Sequence, residues 1–219
     1  MRIYTYYDTP NPYKIIPMHL VIKGVFPRSF LHLIVDSGVN YFFKVKKLKE
    51  YPKWYMKIYP KVAEKLTRKY GDLVWVTLPD YPSDYTENPI ENNRERTIEN
   101  IERMINYDVN WLVVLQSRQN DVNDFRLACK QLRELLGDYP RIAVGVLCTS
   151  STLEWALKTC KLARIYFPRS WIHVFGPNIK WLKYISVYVD SIDSVAYYKP
   201  PWNLKGKISR NVRLIWYNE

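Results

Sequence analysis

Cysteine is scarce in this chain of 219 residues: three occur, Cys129, Cys148 and Cys160, with no Cys-x-x-Cys pair. So few and so scattered, they exclude a disulfide framework and a four-ligand zinc site. Cys129 and Cys160 fall on expected helices and Cys148 at an expected strand end, so small core residues are the simplest account. No apolar run approaches the roughly 20 residues that cross a bilayer. The N-terminal MRIYTYYDTP is polar and Tyr-rich where a secretory signal would be apolar. The expectation is a soluble, cytoplasmic protein with no membrane partner. There is no Ser/Gly-rich linker, low-complexity tract or alignable internal repeat. Neither a G-x-G-x-x-G nor a P-loop follows any expected strand, which removes the commonest open-sheet nucleotide signals.

What is present is an ordinary globular composition, 47% apolar and 25% charged, with a formal net charge of +12. The length suits one domain, residues 1–219, with a substantial core. The charge speaks to partners rather than fold, and a polyanion such as nucleic acid leads. Basic residues gather on a C-terminal tail, about 199–219, where no acidic residue separates Lys199, Lys205, Lys207, Arg210 and Arg213. A second group is Lys44, Lys46, Lys47 and Lys49. Each group also fits a merely solvated face; phosphate binding predicts affinity that falls steeply with salt.

From about residue 30, short β-branched runs alternate with segments of helical period. The expected strands are Leu31–Val35, Leu73–Leu78, Trp111–Leu115, Arg141–Leu147, Trp171–Phe175 and Ile185–Val189, with weaker ones at Arg2–Tyr7 and Val212–Tyr217. Their near-continuous apolar character suits parallel strands covered on both faces. Helical spacing joins Tyr51, Trp54, Tyr55, Ile58, Val62 and Leu66, then Ile98, Ile101, Met104 and Ile105, then Phe125, Ala128, Leu132 and Leu135 before Gly137. Ser151 with Glu154 reads as a capping box, and Pro177 suits the first turn of a short helix. With both weak ends counted there are about eight strands. The expected fold is therefore α/β, a compact (β/α)8 TIM-like barrel with a parallel sheet.

In such sheets chemistry sits at the C-terminal strand ends. Those ends carry Asp36-Ser37-Gly38, then Asp80 with Asp84 shortly after, then Gln116, Gly145, Gly176 after His173, and Asp190-Ser191-Ile192-Asp193. Singly, each has a plain account. Asp36 fits a turn before Gly38, Asp80 an Asx turn, Gln116 a loop-carbonyl partner, Asp190 or Asp193 a cap, and His173 a hydrogen-bonded interior histidine. Together, at one sheet mouth, they point to a site.

These residues resemble the tRNA-guanine transglycosylases and their DNA-modifying relatives. The matching segments, in the family's order, are Asp36-Ser37-Gly38, Asp80, Gln116, Ala143-Val144-Gly145, His173-Val174-Phe175-Gly176, and Asp190-x-x-Asp193, over about Val35 to Ala196. The sequence departs from the family where Val39 replaces a second Gly, where Gly145 is followed by Val146, and in lacking the zinc-binding Cys/His cluster. It looks closest to the short members linked to 7-deazaguanine in DNA. The resemblance implies exchange of guanine for a 7-deazaguanine on DNA or tRNA, through a covalent glycosyl-aspartate at Asp193, with Asp36 as general acid and base. It implies that Asp80 and Gln116 read the purine edge, with Gly145 close against the ring and His173, Gly176 and Asp190 completing the pocket. It also implies a homodimer, and without the zinc cluster neither a metal nor an organic cofactor is expected. Tyr81, Tyr85, Phe175 and Tyr197 are candidates to stack on bases around an extruded nucleotide. Two other classes remain open: a catalytically inactive barrel that only binds nucleic acid, and an unrelated barrel enzyme acting on a phosphorylated metabolite.

Overall fold

The computed structural model describes residues 1–83, 92–147 and 152–194. Eight parallel strands close a barrel in chain order. They are β1 (Arg2–Tyr6), β2 (Tyr13–Pro17), β3 (His32–Asp36), β4 (Val74–Thr77), β5 (Trp111–Leu115), β6 (Arg141–Val144), β7 (Trp171–Val174) and β8 (Ser191–Asp193). Closure comes from β1 pairing with β8, with Ile3 opposite Ile192 and Tyr4 opposite Asp193. Between strands run α1 (Met18–Ile22), α2 (Lys53–Tyr70), α3 (Asn93–Met104), α4 (Val122–Leu136), α5 (Leu153–Tyr166) and α6 (Leu182–Ile185). No helix separates β1 from β2, and α1 and α6 are barely a turn each. This economy lets a full barrel close within so short a chain.

Strand residues alternate between two cores. Leu33, Val35, Val74, Val76, Val113, Ile142, Val144, Ile172 and Val174 face the helices. Tyr4, Ile15, Ile34, Trp75, Leu112, Val114 and Ala143 fill the barrel interior. Both faces are dry, so the strands read as continuous apolar runs rather than alternating ones. Along α2 the covered face is Tyr55, Tyr59, Ala63 and Leu66, while Trp54 points outward. Gly137 ends α4 at φ 64°, a left-handed conformation that favours glycine. Cys129 and Cys160 are buried on α4 and α5. No described helix is long and apolar enough to cross a membrane.

Several expectations are corrected. The expected strand Ile185–Val189 does not form: Ile185 ends α6, Val187 is 74% exposed, and the strand follows at Ser191–Asp193. Leu182, Ile185 and Val189 are buried at three- and four-residue spacing, a helical rhythm that the β-branched Ile185, Val187 and Val189 mask. Tyr13–Pro17 is a strand that the lysine at its second position and its flanking prolines disguise. The Lys14 ammonium is tied to the Tyr7 and Thr9 carbonyls, which fixes the β1–β2 turn. The barrel thus reaches eight strands with β2, while Val212–Tyr217 lies outside the described residues, as do Cys148 and Ser151. The α5 cap is Thr152, whose hydroxyl accepts the Trp155 N–H. Pro177 precedes the cap, and Asn178 accepts from the Lys180 N–H to open a short 3-10 turn.

Asp190 is the largest displacement. It precedes β8, at the N-terminal end of the barrel, where its carboxylate takes the Arg164 guanidinium at 2.6 Å and the Ile172 N–H at 2.8 Å. Arg164 also donates to the Tyr188, Pro168 and Ser170 carbonyls. One guanidinium therefore ties α5 to the β7–β8 connection. Replacing it by Met leaves several carbonyls short of a donor, so Arg164→Met lowers stability by about 2–3 kcal/mol. Urea unfolding measures this, and a loss below about 0.5 kcal/mol would show the clamp to be dispensable.

Candidate active site

At the other end of the barrel, Asp36, Asp80, Gln116, Gly145, Gly176 and Asp193 stand at or just beyond the C-terminal ends of β3 to β8. Alternation along the strands sends Asp36, Gln116 and Asp193 inward, in step with interior residues Ile34, Val114 and Ser191. The mouth is continuous: Asp36 feels the charges of both Asp80 and Asp193, and the Tyr6 hydroxyl on β1 feels Asp36 and Asp193.

The Asp80 carboxylate is buried, and both its oxygens are taken. Ser37 Oγ donates to Oδ1 at 2.8 Å and Gln116 Nε2 to Oδ2 at 2.6 Å. The Tyr51 hydroxyl lies 3.2 Å from Ser37 Oγ and 3.0 Å from the Asp80 carbonyl oxygen. Tyr55 donates to the Ser37 carbonyl at 2.7 Å and Tyr59 to the Thr77 carbonyl at 2.6 Å. A four-residue spacing of tyrosines thus pins the ends of β3 and β4 to α2 and to the turn that leads into it. Sequence reasoning took Tyr51 and Tyr55 only as apolar helix positions. The regular Tyr-x-x-x-Tyr-x-x-x-Tyr was the available signal.

Gln116 gives its amide N–H to Asp80, which leaves Oε1 buried and without a partner among the described residues. Gly145 makes room for this amide. A Cβ there would stand 2.4 Å from Gln116 Nε2 and 2.8 Å from Val114 Cγ1. The glycine therefore clears space for the Gln116 side chain.

Burial lifts Asp36 from its ordinary 3.8 to about 7, reinforced by the Asp80 and Asp193 charges and opposed by the Gly38 and Ser37 N–H groups. Burial also lifts Asp80 to about 6, against the donors Gln116 and Ser37. Asp193 is placed differently. Its Oδ1 accepts the Gly176 N–H at 2.8 Å, from a glycine at φ 57°, and lies 3.5 Å from His173 Nε2. His173 is fully buried inside the barrel, as the interior-histidine account expects. A residue missed altogether is His19 on α1, which stacks on Tyr41 at 4.0 Å and lies against Gly38.

Other expected roles do not fit. Tyr81 is buried among Phe43 and Tyr51 with the Arg96 guanidinium 4.0 Å over its ring, and Phe175 packs on His173. Neither is free to stack on a base. Asp190 lies at the far end of the barrel. Asp84, Tyr85, Tyr197, Lys199, Lys205, Lys207, Arg210 and Arg213 lie outside the described residues. Lys44, Lys46, Lys47 and Lys49 are exposed on the connection from β3 to α2, beside the mouth. Among the described residues no cluster of three metal-ligating side chains occurs.

The strand pairing defines a closed (β/α)8 barrel with an acidic mouth. No family model matches the chain, and no curated protein matches it. Among solved structures it is similar to dihydrodipicolinate synthase from Thermotoga maritima, at 14% identity and a TM-score of 0.43, over 83% of this chain and 69% of that one. Rhizobium etli pyruvate carboxylase with acetyl coenzyme A aligns at 14% identity and a TM-score of 0.38, over 84% of this chain and 19% of that one. The carboxyl transferase domain of the same enzyme, with pyruvate, gives 15% and 0.38, over 77% and 33%. Likenesses this distant say nothing of chemistry.

The raised carboxylates have a consequence for stability. Between about pH 4 and 7 folded Asp36 keeps a proton that the unfolded chain has released, so stability falls as pH rises through that window. Above it the penalty is complete. Asp36→Asn therefore stabilises the protein at pH 8 by about 1–3 kcal/mol, below the roughly 4 kcal/mol equivalent of three pKa units, and flattens the pH dependence. Urea midpoints across the range measure both. A destabilised Asp36→Asn at pH 8 would show that Asp36 is structural.

Proposed function

We propose that this protein is a transglycosylase that exchanges guanine for a 7-deazaguanine in a nucleic acid, DNA or tRNA. The observation that carries the reading is the unequal treatment of two carboxyl groups at one mouth. Asp36 is raised to about 7 and holds a proton near neutrality, while Asp193 has one oxygen fixed by the Gly176 N–H. Pairs of carboxyl groups in divergent environments are how one site supplies both an acid and an anionic nucleophile.

Asp193 attacks C1′ through an oxocarbenium-like transition state and forms a glycosyl ester. Asp36 gives its proton to the departing guanine and takes one from the incoming base. The Gln116–Asp80 pair presents the unpartnered Gln116 Oε1 as an acceptor for the amino and imino N–H edge of a 2-aminopurine. The exposed lysines beside the mouth support a phosphate-bearing substrate, and so does the net charge of +12. The nucleotide leaves its stack to reach the pocket.

Incubation with labelled guanine or a 7-deazaguanine and either tRNA or duplex DNA tests this directly. Label enters one polymer in the wild type. Asp193→Asn lowers incorporation by about 10⁴-fold or more and Asp36→Asn by about 10²–10⁴-fold. An unchanged rate in Asp193→Asn would refute the nucleophile assignment. Nucleic-acid binding with no incorporation into either polymer would favour a barrel that only binds.

A further inference from the structure

Ser191 opens β8 and is wholly buried, and its Oγ meets two ring nitrogens. Trp171 Nε1 lies 2.8 Å away and His173 Nδ1 2.9 Å away. An indole N–H only donates, so it occupies a lone pair of Oγ. The serine hydrogen then needs an acceptor, and among the described residues the one in reach is His173 Nδ1. An Nδ1–H tautomer, or an imidazolium, would aim a second donor at Oγ and leave that buried hydrogen unpaired. The ring proton is therefore on Nε2. That atom is buried, makes no conventional hydrogen bond, and faces Asp193 Oδ1 at 3.5 Å, the same oxygen that takes the Gly176 N–H.

We infer that His173 is a positioning residue for Asp193: a neutral Nε2–H imidazole whose tautomer is held by the Trp171–Ser191 chain. With the Gly176 N–H it marks Oδ1 as the held oxygen and leaves Oδ2 to react. At 3.5 Å the contact is longer than a hydrogen bond, so the N–H acts on Oδ1 through its dipole. The kinetic part of this assignment rests on the base-exchange reading. There, an Oδ2 lone pair forms the bond to C1′ as the glycosidic C–N bond breaks. The bonding pair leaves with the base, which takes the Asp36 proton. In the ester, Oδ1 is the carbonyl oxygen and keeps both N–H neighbours. When the incoming base gives its proton to Asp36 and displaces the ester, the returning charge meets two donors already in place.

The ring state is read by ¹⁵N–¹H correlation spectra of the whole protein at neutral pH, with the three histidines assigned from His19→Gln and His173→Gln. The wild type shows the neutral Nε2–H pattern for His173. Trp171→Phe frees a lone pair on Ser191, and Ser191→Ala removes the partner of Nδ1, so both admit the Nδ1–H form. In exchange assays the same variants lower kcat by about 10–100-fold with KM unchanged. A wild-type ring that is Nδ1–H or doubly protonated overturns the assignment without any variant. So does a tautomer that neither substitution moves. Tautomers that shift in a protein with no exchange activity uphold the hydrogen-bonded chain and overturn only the proposed reaction.

Discussion

The buried carboxylate of Asp80 is the constraint around which this barrel's mouth is organised. A carboxyl group so placed loses hydration and must find donors within the protein. It finds Ser37 and Gln116, which come from the ends of β3 and β5, so one acidic side chain joins three strand ends. Those donors need support in turn. Tyr51, just before α2, and Tyr55 on it fix the Ser37 loop, and Gly145 vacates the space that Gln116 occupies. The loop after β3 carries Asp36 as well, so its position follows from the same clasp.

The two ends of the barrel are built to different purposes. At the N-terminal end charges are neutralised or stacked: Arg164 clasps Asp190, and the Arg2 guanidinium lies 4.6 Å over the Trp171 ring. At the C-terminal end three carboxyl groups share a small space without a cation among their described hydrogen-bond partners. That arrangement costs stability above neutral pH, and proteins retain such costs where chemistry requires them. The division matches the general habit of this fold, in which the strand C-termini carry function and the opposite face stability.

Much of this was legible in the chain. Trp111–Leu115 matched the expected strand at both ends, and the strands at β1, β3, β4, β6 and β7 were located to within a few residues, because a buried parallel strand writes itself as an unbroken apolar run. Asp36, Asp80, Gln116 and Asp193 were legible as strand-end polar residues. β2 was not, since a run that carries a lysine, follows Pro12 and ends on Pro17 lacks that signature. The segment from Ile185 was misleading because β-branched residues sit there on a helical spacing, and local propensity yields to what the barrel can cover. Asp190 looked equivalent to Asp193 three residues on, but a three-residue strand is long enough to put them at opposite ends of the barrel.

The sequence by itself determined the fold class and the set of polar residues at the strand ends, because periodicity and position along a parallel strand are local properties. Only the tertiary structure decided how those residues divide their roles. Asp80 is held by two donors, Asp36 is desolvated, Asp193 is anchored by a glycine N–H, and His173 is set by Ser191 and Trp171. Each of these depends on which atoms from distant segments meet at about 3 Å, and on how much water they exclude. Such distances are fixed by barrel closure, which no local stretch of chain encodes.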